Sequence, residues 1–174
     1  MAGLYLHIPF CKQACHYCNF HFATSLHHKD ALIEAMQQEL IGRKTDWNTQ
    51  TFETIYFGGG TPSLLDDAEL QTLLETIRKN YSVSPDAEIT LEANPDDIQH
   101  SKLESWQRMG INRLSLGIQS FFERDLQWMN RAHGSTQARQ ALELALNYFP
   151  NLTADLIYGT PGLTDADWIE NIQT

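Results

Sequence analysis

The chain alternates five times between a short apolar segment and a longer segment with helical spacing. The short segments have the composition of buried strands and cover 4–8, 54–57, 88–92, 112–117 and 153–158. Helical spacing covers about 30–43, the stretch from 66, 99–109, 136–148 and the stretch after 164. Because parallel strands are joined by long crossovers, usually helices, this alternation predicts an α/β fold with a parallel sheet. A doubly wound open sheet and part of a (β/α) barrel both satisfy the pattern.

Two short motifs predict where helices begin and end. Asp66 followed by Glu69 resembles a capping box in which Asp replaces the usual Ser or Thr, so the second helix should begin there. Gly110 suits the left-handed conformation that commonly closes a helix, so the third helix should end at about Met109.

Composition and charge limit the kinds of partner and the cellular compartment that we expect for this chain. The net charge is −10, and the twelve Lys and Arg residues are scattered, so we expect no nucleic-acid partner. No run of 18 apolar residues occurs, which predicts no transmembrane helix. The N-terminal residues enter a strand pattern without the basic and apolar regions of a signal peptide. Three clustered cysteines then indicate a reducing compartment, and we expect the protein to be cytoplasmic.

The last ten residues suggest that residues 1–174 form an incomplete domain. Residues 165–174 have helical spacing with apolar side chains but no C-cap and no following strand. An uncapped helix with an apolar face rarely ends a domain, so we expect the parent protein to continue beyond Thr174.

The three cysteines of the chain lie together in one Cys-x3-Cys-x2-Cys run. Cys11, Cys15 and Cys18 cannot all pair as disulfides, because one thiol is always left over. Three thiolates on one loop can hold a cubane [4Fe–4S] cluster and leave one iron open to a small molecule. A structural zinc ion usually takes four ligands, and His16 or His21 could complete such a set. Buried, unreactive thiols are a third possibility.

Polar residues and glycines follow all five predicted strands. Sites in parallel α/β folds form where the carboxyl ends of the strands meet. The five segments at these ends are the cysteine run, 57–63, 92–96, 117–121 and 155–162. Turn chemistry explains some of their glycines and prolines but not the polar side chains of Glu92, Gln119 and Asp155. The glycines at 58–60 allow close approach of a ligand, but no Lys follows them, so they are not a Walker phosphate loop.

Together these residues resemble the radical S-adenosylmethionine superfamily. Its signature is the same cysteine spacing with an aromatic residue before the last cysteine, which is Tyr17 in this chain. More narrowly, three strings look like the oxygen-independent coproporphyrinogen III oxidases and their relatives: LYLHIPFC at 4–11, FGGGTPS at 57–63 and DLIYGTPG at 155–162. The match covers the whole chain, and its first string is highly specific.

The resemblance implies a radical S-adenosylmethionine core domain at 1–174, built as a partial (β/α)6 barrel of which about five units are present. It implies that Cys11, Cys15 and Cys18 ligate three irons of a [4Fe–4S] cluster and that the fourth iron binds S-adenosylmethionine. Electron transfer from the reduced cluster would then cleave the sulfonium and give a 5′-deoxyadenosyl radical. The positions that would contact S-adenosylmethionine are Tyr5, Gly59, Gly60, Thr61, Glu92, Gln119, Arg131 and Asp155. Tyr17 would pack on its adenine.

Two departures from the oxidase pattern favour the haem chaperone branch of this family. True oxidases carry another cysteine two positions after the third ligand, where this chain has Phe20. They also carry an extension before the first strand, and Met1 lies only a few residues from Leu4. The resemblance therefore implies binding of haem or a porphyrin, an electron donor and a respiratory haem-acceptor protein. The haem ligand would lie beyond Thr174. The alternative is oxidative decarboxylation of coproporphyrinogen III.

Overall fold

A computed structural model describes residues 2–47 and 49–174. Its strands are β1 (Ala2–Ile8), β2 (Thr51–Gly59), β3 (Ser82–Ala93), β4 (Arg113–Gln119) and β5 (Leu152–Leu156). Its helices are α1 (Lys29–Gly42), α2 (Asp67–Asn80), α3 (His100–Met109), α4 (Glu123–Trp128), α5 (Ser135–Leu146) and α6 (Asp165–Gln173). Short 3₁₀ turns cover Lys44–Trp47, Pro62–Leu64 and Pro95–Asp97. The predicted alternation of strands and helices is confirmed.

The five strands form one parallel sheet in the order β1-β2-β3-β4-β5. A doubly wound sheet reverses its strand order at a switch point, whereas a barrel adds each strand beside the last. The sequential order therefore selects the second of the two predicted architectures, an α/β partial barrel.

The two faces of the sheet differ in chemistry because successive side chains of a strand point to opposite faces. One face packs against the helices and is fully buried, with Leu6, Ile8, Ile55, Phe57, Leu91, Leu114 and Leu116 in the core. The other face carries polar residues at paired positions. Tyr5 pairs with Tyr56, and Glu92 pairs with Ser115. The alternation along each strand thus builds the core and a polar inner surface at once.

Both predicted helix ends are confirmed. Asp66 caps α2 by accepting from the Glu69 backbone N–H at 2.9 Å, and the Glu69 carboxylate accepts from the Asp66 N–H at 2.8 Å. Gly110 closes α3 with a φ of +93°, which a side chain would strain.

Most element bounds shift by one to three residues, and three further differences have a clear physical reason or extent. The third strand begins at Ser82 instead of Glu88, because a shift of register lets its first residues pair with Thr51 and Phe52 before the main ladder begins. The fifth strand ends at Leu156, two residues before the predicted end. The six-residue helix α4 was not predicted, since it spans less than two helical turns and shows no usable periodicity. Among the described residues, no helix is long and apolar enough to span a membrane.

Candidate functional site

A cavity of about 390 Å³ opens at the carboxyl ends of the strands. This volume lies within the range of roughly 300–1,000 Å³ typical of small-molecule sites. The structure brings every sequence-predicted site residue to its lining: Cys11, Cys15, Cys18, Tyr5, Gly59, Gly60, Thr61, Glu92, Gln119, Arg131 and Asp155. Tyr17 and Phe20 also line it. Residues separated by up to 150 positions thus share one cleft because parallel strands all end at the same edge.

The cysteine loop leaves β1 and returns towards it at Ala23. The backbone N–H of Cys11 donates to the Ala23 carbonyl at 3.0 Å, and the Ala23 N–H donates to the Pro9 carbonyl at 2.8 Å. All three thiols are half-buried, and burial raises the pKa of Cys11. Lys12 ties the loop to the turn after β3 through ion pairs with Asp96, at 2.6 Å, and with Asp97.

The glycines after β2 bring the backbone close to the cysteine loop. A Cβ atom on Gly60 would lie 2.6 Å from the Phe10 carbonyl oxygen and 3.0 Å from Cys11 Sγ. Gly59 has a φ of +115°, and a Cβ atom there would lie 2.6 Å from Nδ1 of His7. Side chains at these positions would therefore fill the space between the two loops.

The Glu92 carboxylate is held in place at the floor of the cavity. Its Oε1 accepts from the Tyr56 hydroxyl at 2.8 Å, and its Oε2 accepts from the Gly59 N–H at 3.0 Å. Burial, with the carboxylate as a second cause, raises the pKa of Tyr56 to about 12, so its hydroxyl remains a donor at neutral pH. A fixed carboxylate suits recognition of an ammonium group or of ribose hydroxyls.

Arg131 connects the cysteine loop to the sheet. Its Nη1 donates to the Tyr17 hydroxyl at 3.1 Å and to Cys15 Sγ at 3.5 Å. Its Nη2 donates to Asn94 Oδ1 at 2.7 Å and to the Gly117 carbonyl at 2.8 Å. Within the described chain its Nε is buried without a hydrogen-bond partner.

Two further residues predicted to contact S-adenosylmethionine are Gln119 at the end of β4 and Asp155 on β5. Gln119 is buried and has a φ of +69°, a conformation that non-glycine residues adopt at a cost and that clusters at functional sites. Asp155 accepts from the Ser115 hydroxyl at 3.4 Å, and burial raises the pKa of its carboxyl group.

Among the residues that sequence reasoning missed are Asn94 and Ser115, which line the cavity, and Tyr56, which donates to Glu92. Asn94 links two predicted contacts, since its Nδ2 donates to Thr61 Oγ1 at 3.2 Å while its Oδ1 accepts from the arginine. Its position at the end of the third strand is the sequence feature that could have identified it. Tyr56 and Ser115 could have been found from strand alternation, which puts both on the face that carries Glu92.

The family model of the radical SAM superfamily matches residues 5–174. The chain belongs to the radical SAM superfamily. It is 38% identical over 162 residues to heme chaperone HemW of Escherichia coli K12, which covers 91% of this chain and 43% of that protein. HemW of Mycobacterium tuberculosis is 37% identical over 175 residues, with 98% and 45% covered. The chain therefore spans less than half the length of these relatives.

A solved structure is also similar. Coproporphyrinogen III oxidase (HemN) from Escherichia coli, described as a radical SAM enzyme, superposes with a TM-score of 0.90 at 31% identity. The superposition covers 98% of this chain and 40% of that chain. The likeness supports the partial-barrel architecture of this radical SAM protein over nearly its whole length.

The donor set of this radical SAM protein fits an iron–sulfur cluster. Three thiols line one cavity, and thiolates are the ligands that such clusters take. Among residues 2–47 and 49–174, no group of three or more His, Cys, Asp or Glu side chains lies close enough to hold one metal ion. A cubane binds each thiolate at a different iron, so its ligands need not meet at one point. Ligation by these cysteines stays a prediction.

Replacing Tyr56 with phenylalanine should weaken binding of S-adenosylmethionine about tenfold, the usual effect of losing a hydrogen bond to a charged group. The change leaves the Glu92 carboxylate free to rotate away from its bond with Gly59. Equilibrium titration of the anaerobic, cluster-loaded protein measures the affinity. Tyr81→Phe is the matched control, because that hydroxyl donates to the Leu40 carbonyl at 2.7 Å and does not line the cavity. Equal affinities in the two variants would contradict the assignment of Tyr56.

Proposed function

We propose that this chain is the part of a haem chaperone that binds a [4Fe–4S] cluster and S-adenosylmethionine. One observation carries the proposal: three cysteine thiols and eight residues predicted to contact S-adenosylmethionine line the same cavity. Cys11, Cys15 and Cys18 would hold the cluster. The cluster and its ligand supply reductive cleavage of a sulfonium when both are bound.

The contribution of the protein is to bind and orient this ligand. The Glu92 carboxylate accepts hydrogen bonds from an ammonium group or hydroxyls. The Arg131 guanidinium, whose Nη atoms already bond to the protein, contributes its positive charge towards the carboxylate of the ligand. The glycines beside them leave room for close approach of the ligand to the backbone. Asp155, on β5, offers a second carboxylate to the same cavity.

The chaperone function is favoured by the HemW relatives and by Phe20. That residue is 73% exposed and lines the cavity beside the three cysteines. It places an exposed apolar ring at the position where the oxidases carry a cysteine. We propose that the whole protein binds haem and transfers it to respiratory proteins of a reducing, cytoplasmic compartment, with the haem ligand outside residues 1–174.

The second candidate function is that of an oxygen-independent coproporphyrinogen III oxidase. It is favoured by the similarity to HemN, at a TM-score of 0.90 and 31% identity. Such an enzyme would oxidatively decarboxylate two propionate side chains to vinyl groups, with S-adenosylmethionine as the oxidant.

An anaerobic assay separates the two functions. The full-length gene product, reconstituted with iron and sulfide, receives coproporphyrinogen III with S-adenosylmethionine and a reductant, or haem alone. Tight haem binding without formation of protoporphyrinogen supports the chaperone and excludes the oxidase. Formation of protoporphyrinogen excludes the chaperone proposal. Phe20→Cys tests the importance of this position, and it should not by itself create oxidase activity.

A further inference from the structure

The segment that follows α4, residues 128–131, lies against the cysteine loop. The Trp128 carbonyl accepts from Nδ1 of His16 at 2.8 Å, and the Met129 carbonyl accepts from the His16 backbone N–H at 3.1 Å. Met129 is fully buried in the protein interior. This segment is therefore a second attachment point for the loop, in addition to the ion pairs of Lys12 with Asp96 and Asp97.

Asn130 makes two side-chain contacts with the loop between the first two cysteines. Its Nδ2 donates to the Ala14 carbonyl at 2.8 Å, and its Oδ1 accepts from Nε2 of Gln13 at 2.6 Å. Its φ is +57°, in the left-handed region that asparagine tolerates better than most residues. This backbone conformation directs the amide towards the loop instead of along α4.

Arg131, the next residue, attaches the same segment to side chains of the cysteine loop. Arg131 contacts Cys15 Sγ and the Tyr17 hydroxyl, and it also bonds to Asn94 and Gly117 of the sheet. The loop's own backbone bond from Cys11 to Ala23 joins its two ends, and the bond from Cys18 to Cys15 closes one turn within it. The contacts from 128–131 restrain the stretch between those ends.

We infer that Asn130 is a positioning residue for the iron–sulfur cluster. By holding Gln13 and Ala14 it sets the separation of Cys11 and Cys15, so that both thiolates face the cavity before any iron binds. The inference rests on the proposed function, since it requires a cluster on this loop. A loop held in the ligating geometry loses less conformational freedom on binding and releases its cluster more slowly.

Two substitutions test the contribution of the Asn130 side-chain amide separately from that of its left-handed backbone conformation. Asn130→Gly keeps the left-handed φ and removes both contacts. Asn130→Asp keeps an acceptor for Gln13 and removes the donor to Ala14. Gln127→Ala is the matched control, because that side chain is exposed on α4 and contacts Glu123 instead of the loop.

The measurement is the rate at which the full-length, anaerobically reconstituted protein loses iron to an added chelator. We expect release about tenfold faster in Asn130→Gly, in line with the loss of two hydrogen bonds, and an intermediate rate in Asn130→Asp. The electron paramagnetic resonance spectrum of the reduced cluster should broaden in the glycine variant as the cysteine geometry becomes heterogeneous. The unfolding temperature of the cluster-free variants should fall by only about a few degrees, because the two contacts lie on a loop outside the hydrophobic core.

Release from Asn130→Gly at the wild-type rate overturns the inference, and so does equal acceleration in Gln127→Ala. A wild-type protein that takes up no iron overturns the proposed function instead, so the two failures are distinguishable. The cluster-free Asn130→Gly protein could instead unfold at a much lower temperature than the cluster-free wild type. Faster release of iron would then reflect a general loss of stability, and Asn130 would have a purely structural role.

Discussion

Replacing Cys15 with alanine should abolish the broad absorbance near ~400 nm that thiolate-ligated iron–sulfur clusters show. The three thiols line one cavity, and the Cys15 sulfur lies 3.5 Å from Nη1 of Arg131. Removing this thiol leaves two ligands for a cluster that needs at least three from the protein. Anaerobic reconstitution followed by absorbance and iron analysis measures the effect, and we expect less than about a tenth of the wild-type iron.

The control for this prediction is His21→Ala. His21 is exposed and follows the cysteine run, and it is one of the two histidines that could complete a zinc site. Unchanged absorbance in His21→Ala, with no bound zinc, supports the cluster. Retained absorbance in Cys15→Ala would refute the ligand assignment, and zinc that is lost in both variants would favour a Cys3His site.

Replacing Gly60 with alanine should also disrupt the cavity, because Gly60 packs against the start of the cysteine loop. A Cβ atom there would meet the Phe10 backbone at 2.6 Å and 2.9 Å and the Cys11 sulfur at 3.0 Å. The Gly60 N–H also donates to the Ile8 carbonyl at 2.8 Å, so the glycine loop cannot move away without losing that bond. We expect a loss of stability of about 1–3 kcal/mol and a loss of S-adenosylmethionine affinity of at least about tenfold.

Gly42→Ala is the matched control for that substitution. Gly42 is the last residue of α1, and a Cβ atom there would meet nothing within 4 Å. Alanine should leave binding unchanged and stabilise the helix by up to about 1 kcal/mol. Urea unfolding of the full-length protein measures stability, and anaerobic titration measures affinity. Wild-type affinity in Gly60→Ala would show that the ligand does not use this loop.

The strand–helix alternation was sufficient to predict the fold class, and it placed the cysteine run, Glu92, Gln119 and Asp155 at the ends of strands. The other predicted contacts with S-adenosylmethionine came from the family resemblance. Parallel strands end at one edge, so residues at successive strand ends could be expected to meet before any contact was known. Local signals of the same kind located the start of α2 at Asp66 and the end of α3 at Gly110. Each of these predictions depends on residues close together in the chain.

Contacts between distant segments could not be predicted in this way. Asn130 lies 116 positions from Ala14, and neither residue carries a local pattern that indicates the other. The early start of β3 was missed because Ser84, Pro85 and Asp86 have turn composition, although the ladder with β2 includes the residues before them. The alternation alone also left two sheet architectures open; the family resemblance implied the partial barrel, and the observed strand order confirms it.

The attachment of the cysteine loop to residues 128–131 has a consequence for synthesis of the protein in the cell. The ribosome makes Cys15 first and Arg131 116 residues later. At about 5–20 residues per second, the thiols emerge on the order of ten seconds before the segment that restrains them. During that interval the loop has only its own backbone bonds and the ion pairs of Lys12 to restrain it. If the proposed cluster is present, the segment that restrains its cysteine loop is complete only after four strands have been translated.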